Sequence, residues 1–243
     1  MNIFNRLLNY VDLDNKALSL VEARLNALVF SLSSLITGSI VYFIFNIQFD
    51  RIIKLSIFGF FAIISVFLYI LVLKKRDNNF IVCLLFSIFK GATIMSFSHM
   101  LKLYLDIINM SYDVVTSFFI SAAFSVLIVP FFTSVYYLSF GKTIRDFKTS
   151  FLFVLLFSII ILAVITAIRF SSVLSSKTIL NTIISVLFAL INSFYSVVYF
   201  EFARKEYQEC GDYSLTNNMA LGMVQSDIYS PIEIIYALFH TRK

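Results

Sequence analysis

IIKLSIFGFFAIISVFLYILVL, from Ile52 to Leu73, is followed at once by KKRDNN, Lys74 to Asn79. Apart from Lys54 near its start, the run carries no charge. About 20 apolar residues in a helix rise far enough to cross the ~30 Å hydrocarbon core of a bilayer. The run does not alternate apolar and polar residues, as a strand of a membrane barrel would. The charged cluster that stops it is the sharpest boundary in the chain. The stretch therefore reads as a membrane-spanning helix, and it sets the scale on which its neighbours are read.

Upstream, Ala27 to Ile47 forms a first span, ended by Gln48-Phe49-Asp50-Arg51. Its Gly38, with Ser31, Ser33, Ser34 and Ser39, offers small residues that let another helix come close. Before it, residues 1–26 read as a short amphipathic helix on the membrane surface, with Leu7, Leu8, Val11, Leu18 and Val21 at roughly helical spacing. No compact apolar core with a cleavage site is present there, so a cleaved signal peptide is not expected.

Downstream, spans are expected at about Phe80–Leu105, Val114–Leu138 with Pro130 inside, Thr149–Ile168 and Thr178–Phe202. A last stretch, Met219–Phe239, is less hydrophobic and is interrupted by Asp227, Ser230 and Pro231. The expected fold is all-α and polytopic: six transmembrane helices around a seventh, central or re-entrant, helix. Residues 27–243 form one membrane domain. Tyr136, Tyr137 and Tyr199 are expected in interfacial belts.

Composition agrees. Of 243 residues, 60% are hydrophobic and 14% charged, against about 25% charged in a soluble domain. Mean hydropathy is +0.90. The net charge of +5 is spread over short loops, so it reads as topology and not as nucleic-acid binding. Arg6, Lys16, Arg24, Lys74, Lys75, Arg76, Lys142, Arg145, Lys148, Arg204 and Lys205 fall on one side. Arg51, Lys54, Lys102, Arg169 and Lys177 fall on the other. The richer side, with the N-terminus, is expected in the cytoplasm.

Cys83 and Cys210 read as free thiols. There is no CxxC or HExxH spacing and there are two histidines, so neither a metal nor a cofactor is expected. No nucleophile–base constellation appears, so catalysis is not expected.

The polar residues inside apolar runs carry the functional reading. A charge at bilayer depth costs about 2.5–3.5 kcal/mol on the insertion scale, and chains that keep one use it for an ion path, a proton relay or a partner. Lys90 lies deep in the third span, too deep to reach the surface comfortably. Asp227 and Glu233 are its best acidic partners, the alternative being an uncharged amine. Glu201 closes the sixth span; the plainer reading is a solvated end beside Arg204 and Lys205. His99 sits in the same span as Lys90. An imidazole suits pH sensing near neutrality, although a buried histidine is commonly just hydrogen-bonded. Arg145 and Asp146 lie in the short loop GKTIRDFK (141–148), where fixing the loop is the plainer role.

From Ser193 on, the chain resembles the Bax inhibitor-1 (lifeguard) family. Tyr199 to Tyr207 (YFEFARKEY) is similar to the family's stretch ending the sixth span. Ser230 to Phe239 (SPIEIIYALF), with Arg242-Lys243 after it, is similar to the family's closing segment. Lys142 to Phe147 resembles the loop between the fourth and fifth spans. Phe119 to Phe124 resembles a fourth-span phrase, and Gly91 with the Thr, Ser and Met after it a third-span phrase. Where the family has paired aspartates, this chain has Phe200, with Glu201 next to it, and Ser230, with Asp227 one helical turn earlier. The resemblance implies that Glu201 and Asp227 form a displaced proton-sensing pair, with Glu233 near the same cavity. It also implies a pH-sensitive cation (calcium) leak and a link to cell-death (apoptosis) regulation. Two alternatives stand beside it: a non-conducting regulator that binds a membrane protease or cell-death protein, and a small proton-coupled transporter. The expected location is a bacterial inner membrane or an internal eukaryotic membrane.

Overall fold

The structure is a computed structural model, and it describes residues 15–47, 50–74, 79–107, 113–140, 147–169, 183, 186, 187, 189–194, 196–198, 200 and 216–224. Every regular element among these is helical: α1 (Asn15–Asn46), α2 (Arg51–Lys74), α3 (Phe80–Ile107), α4 (Asp113–Phe140), α5 (Phe147–Arg169), α6 (Ala189–Val198) and α7 (Thr216–Val224). Among the described residues, four segments are long and apolar enough to cross a membrane: Leu20–Asn46, Arg51–Val72, Phe80–Leu101 and Ala122–Phe140.

One boundary differs from expectation. The step at residue 26 is not a break, because α1 is a single helix of 32 residues from Asn15. ALSLVEARLNA (17–27) holds strong helix formers and no Gly or Pro, so nothing interrupts propagation into the span.

Helix ends are secured locally. Asn79 caps α3, its Oδ1 accepting from the backbone N–H of Ile81 (3.1 Å) and Val82 (3.4 Å). Lys54 Nζ donates to the carbonyl of Phe45 at 2.7 Å, placing a cation at the carbonyl end of α1 and tying the α1–α2 hairpin. Inside helices, hydroxyls fold back on their own backbone: Ser87 to Cys83, Ser96 to Ala92 and Thr133 to Val129. An apolar medium supplies no other partner, so this is how such residues are carried through a span. Pro130 removes one backbone donor from α4, and Ser134 Oγ donates to the Pro130 carbonyl at 2.7 Å.

α1 and α3 run parallel. Along their seam Phe30 meets Phe80 (ring centroids 5.4 Å), Ser34 meets Ser87, and Tyr42 meets His99 (5.4 Å). The two backbones nearly touch. A Cβ on Gly91 would land on the backbone of Ser34, and one on Gly38 would strike Leu127 of α4 and the Gly91 carbonyl. The Ser34 hydroxyl crosses the same gap to the Ser87 carbonyl. Ser34 with Gly38, and Ser87 with Gly91, are small residues four apart on each helix, the spacing that permits close approach in membranes. α4 packs on both helices, and α7 packs on α1, α4 and α3. α2 is peripheral and leaves Ile52 and Ile63 each 72% exposed. Such large apolar faces would be costly in water, so lipid is their natural surrounding.

Tyr136 and Tyr137, expected in an interfacial belt, are both buried within the bundle. Tyr137 stacks on Phe200 at 4.7 Å, while Tyr136 packs on Phe153 at 4.8 Å and its hydroxyl accepts from Ser150 at 3.3 Å.

Gly91→Val is expected to cost more than the roughly 1–3 kcal/mol typical of overpacking, because the obstruction is backbone. Gly59, whose Cβ would meet nothing, should tolerate Ala without loss. Thermal unfolding of the two purified variants checks both.

Candidate functional site

Lys90 stands ten residues past Phe80 on α3, about 15 Å of helix rise and so near the middle of a ~30 Å hydrocarbon core. It is 3% exposed. Its Nζ donates to the backbone carbonyl of Val224 in α7 at 3.4 Å. That is longer than a usual N–H···O bond, but both partners are buried.

α7 is positioned for this from its other end. Asn26 Nδ2 on α1 donates to Asn217 Oδ1 at 2.6 Å. From Asn217 to Val224, about 10.5 Å of helix rise, α7 then runs alongside α1 from the level of Asn26 to the level of Lys90. Ala220, Leu221, Met223 and Val224 are buried in the main core with Phe30, Cys83 and Phe86. The helix thus lies beside α1, and its Val224 carbonyl meets the lysine.

A second polar track joins α4 to α6. Asn192 Nδ2 donates to Ser125 Oγ at 2.9 Å and Ser196 Oγ to Thr133 Oγ1 at 2.9 Å. Phe200 continues the same register onto Tyr137. Ser31 Oγ of α1 reaches Ser134 Oγ at 3.5 Å, so the interior of α1, α4 and α6 is laced with uncharged polar groups. Among the described residues, Ser193 and Ser158 are fully buried and their Oγ atoms find no hydrogen-bond partner.

Among the residues singled out from sequence, Lys90 and His99 are described. His99 is buried between the rings of Tyr42 (5.4 Å) and Phe45 (5.7 Å). It lies nine residues beyond Lys90 on α3, about 13.5 Å along the axis, so the two are not brought together. Glu201, Asp227, Glu233, Ser230, Arg145 and Asp146 lie outside the described residues. Phe200, standing where the resemblance expects an aspartate, is buried and stacked on Tyr137. Among the described residues, no three His, Cys, Asp or Glu side chains come together to hold a metal ion.

Sequence reading missed Asn26, Asn217, Asn192 and Ser125. Asn192 was the findable one: it is an amide within a long apolar run, and a buried amide demands a partner. Asn26 and Asn217 gave no such signal, because each lies at the edge of its stretch. No protein-family model matches the chain, nor does any curated protein or solved structure.

A double-mutant cycle with Asn26→Ala and Asn217→Ala is expected to give a coupling near 0.6 kcal/mol, the average for such bonds in membranes. Thermal unfolding of the four proteins measures it, and additive losses would detach α7 from this anchor.

Proposed function

We propose that this chain is a multi-pass membrane protein of the Bax inhibitor-1 type, that its activity is a proton-regulated cation (calcium) leak, and that the arrangement described above is the closed state. Six spans surround a last segment of which α7 is the beginning, and the N-terminus lies in the cytoplasm. One observation carries the reading: a lysine buried at mid-span with its Nζ on the Val224 carbonyl of α7. A calcium ion brought within about 4 Å of that charge would meet roughly 8 kcal/mol of repulsion at an effective dielectric near 20. No cation passes while the ammonium holds its place.

Glu201 and Asp227 are the proposed proton sensor. Two carboxylates sharing a dry site do not both ionise cheaply, so one keeps its proton near neutral pH. Loss of that proton shifts the balance between closed and open states. Glu233 belongs to the same lining. Opening requires Lys90 to leave the path, and the sensor acts by changing what α7 presents to it.

Calcium flux into proteoliposomes, followed across a pH range spanning neutrality, tests this. Flux is expected to vary with pH, to rise in Lys90→Ala, and to lose its pH dependence in Glu201→Gln/Asp227→Asn. Absence of flux at every pH, with a membrane protein co-purifying stably, would instead favour the non-conducting regulator.

A further inference from the structure

We propose that the seam between α4 and α6 parts to form a water-filled crevice deep in the membrane, lined by Ser125, Thr133, Asn192, Ser193 and Ser196. Its use by an ion rests on the leak reading; the crevice itself is argued from how the two helices are joined.

Three observations set this seam apart. The first is that its contacts are exchangeable. Asn192 and Ser125 join side chain to side chain, as do Ser196 and Thr133, each pair at 2.9 Å. Water can take the place of either partner in such a pair and leave the other satisfied.

The second is a pair of hydroxyls that the packed helices do not serve. Ser193 follows Asn192 directly on α6 and is fully buried, and among the described residues its Oγ finds no partner. Ser158 of α5 is in the same condition. Their surroundings are shared: Ala189, one turn before Ser193, and Ile159, next to Ser158, belong to one cluster with Ile128 of α4. A buried hydroxyl without a partner carries its full desolvation cost, and water between the helices removes it.

The third is a weak point in α4 between its two contacts with α6. Pro130 lies between Ser125 and Thr133 and has no N–H to give to the carbonyl four residues earlier. Thr133 and Ser134 turn their hydroxyls back onto the carbonyls of Val129 and Pro130, an arrangement that bends helices. Pro130 stands eight residues past Ala122, about 12 Å into the span.

The α1–α3 seam is built the other way. Gly91 lies against the backbone of Ser34, and the Ser87 hydroxyl is bonded within its own helix to the Cys83 carbonyl. Parting that seam would give up its close packing. The α4–α6 lining, by contrast, is hydroxyls and one amide without a charge, which suits water as its ligand.

The test is cysteine accessibility in proteoliposomes, with silver ion as a small water-borne thiol probe. In a Cys83→Ala/Cys210→Ser background, Ser193→Cys and Ser87→Cys each place one thiol, one per seam, at positions buried alike. After timed exposure to silver nitrate, the thiols left unblocked are counted with a maleimide dye in denaturant. Ser193→Cys is expected to be blocked roughly tenfold or more faster than Ser87→Cys, the ratio being set by how often each seam opens. Equal rates, slow or fast, would overturn the proposal. Should Ser193→Cys not fold, Ser196→Cys takes its place. A second measurement uses Ser193→Ala, which is expected to leave the unfolding midpoint unchanged or to raise it. A fall of several degrees would mean that the packed seam already serves this hydroxyl, and would overturn the proposal. Blocking of Ser193→Cys without calcium flux at any pH would sink the leak reading and leave the crevice standing; flux without blocking would do the reverse.

Discussion

At Gly91 and Ser34 the backbones of α3 and α1 come within contact of each other, and the rest of the bundle is arranged about that approach. Lipid tails are as apolar as leucine, so burying leucine against leucine gains little there. What holds helices together is close packing of backbones and hydrogen bonds that cross between them. The α1–α3 seam has both, since the Ser34 hydroxyl reaches the Ser87 carbonyl where the side chains are smallest. Leu127 of α4 then fills the space that a Cβ on Gly38 would need, which draws the third helix onto the pair. α2, by contrast, is fastened at its start by Lys54 and turns a broad apolar face outward.

The seam also explains how a lysine is kept so deep. Lys90 precedes Gly91 directly, so it is set in the most tightly packed part of α3. Its backbone is fixed by the crossing with α1, and only its side chain is left to find a partner. α7 supplies one, the backbone carbonyl of Val224. The polar track between α4 and α6 is different in kind. It is made of hydroxyls and one amide, it is uncharged, and it orders helices without presenting a focused field.

Much of the helical layout was legible in the sequence, because apolar run length and charged stops are properties of the chain itself. The ends of α2 to α5 fall within a few residues of the expected spans. Gly38 and Ser34 were legible as a place for another helix, and Lys90 as a residue under constraint. What escaped was pairwise. That Tyr136 and Tyr137 are buried depends on Ser150 and Phe200, which come from other segments of the chain. Likewise nothing in the run Met219–Phe239 announces a helix already formed at Thr216, because the reason is Asn26, which lies 191 residues away. Of the candidate site, the lysine was readable, but its contact with a backbone carbonyl was not. A carbonyl has no residue type, so no sequence pattern marks it.

The contact between Lys90 and Val224 spans 134 positions of chain. At roughly 5–20 residues per second, the ribosome adds the second partner about 7 to 27 s after the first. α3 is therefore complete well before Val224 of α7 exists. The order of synthesis makes this charge one of the last features of the bundle to be settled, and it makes α7 a closing piece. For that interval the lysine stem is served by whatever the insertion machinery, water or headgroups provide, and quality control has a distinct partly assembled species to inspect.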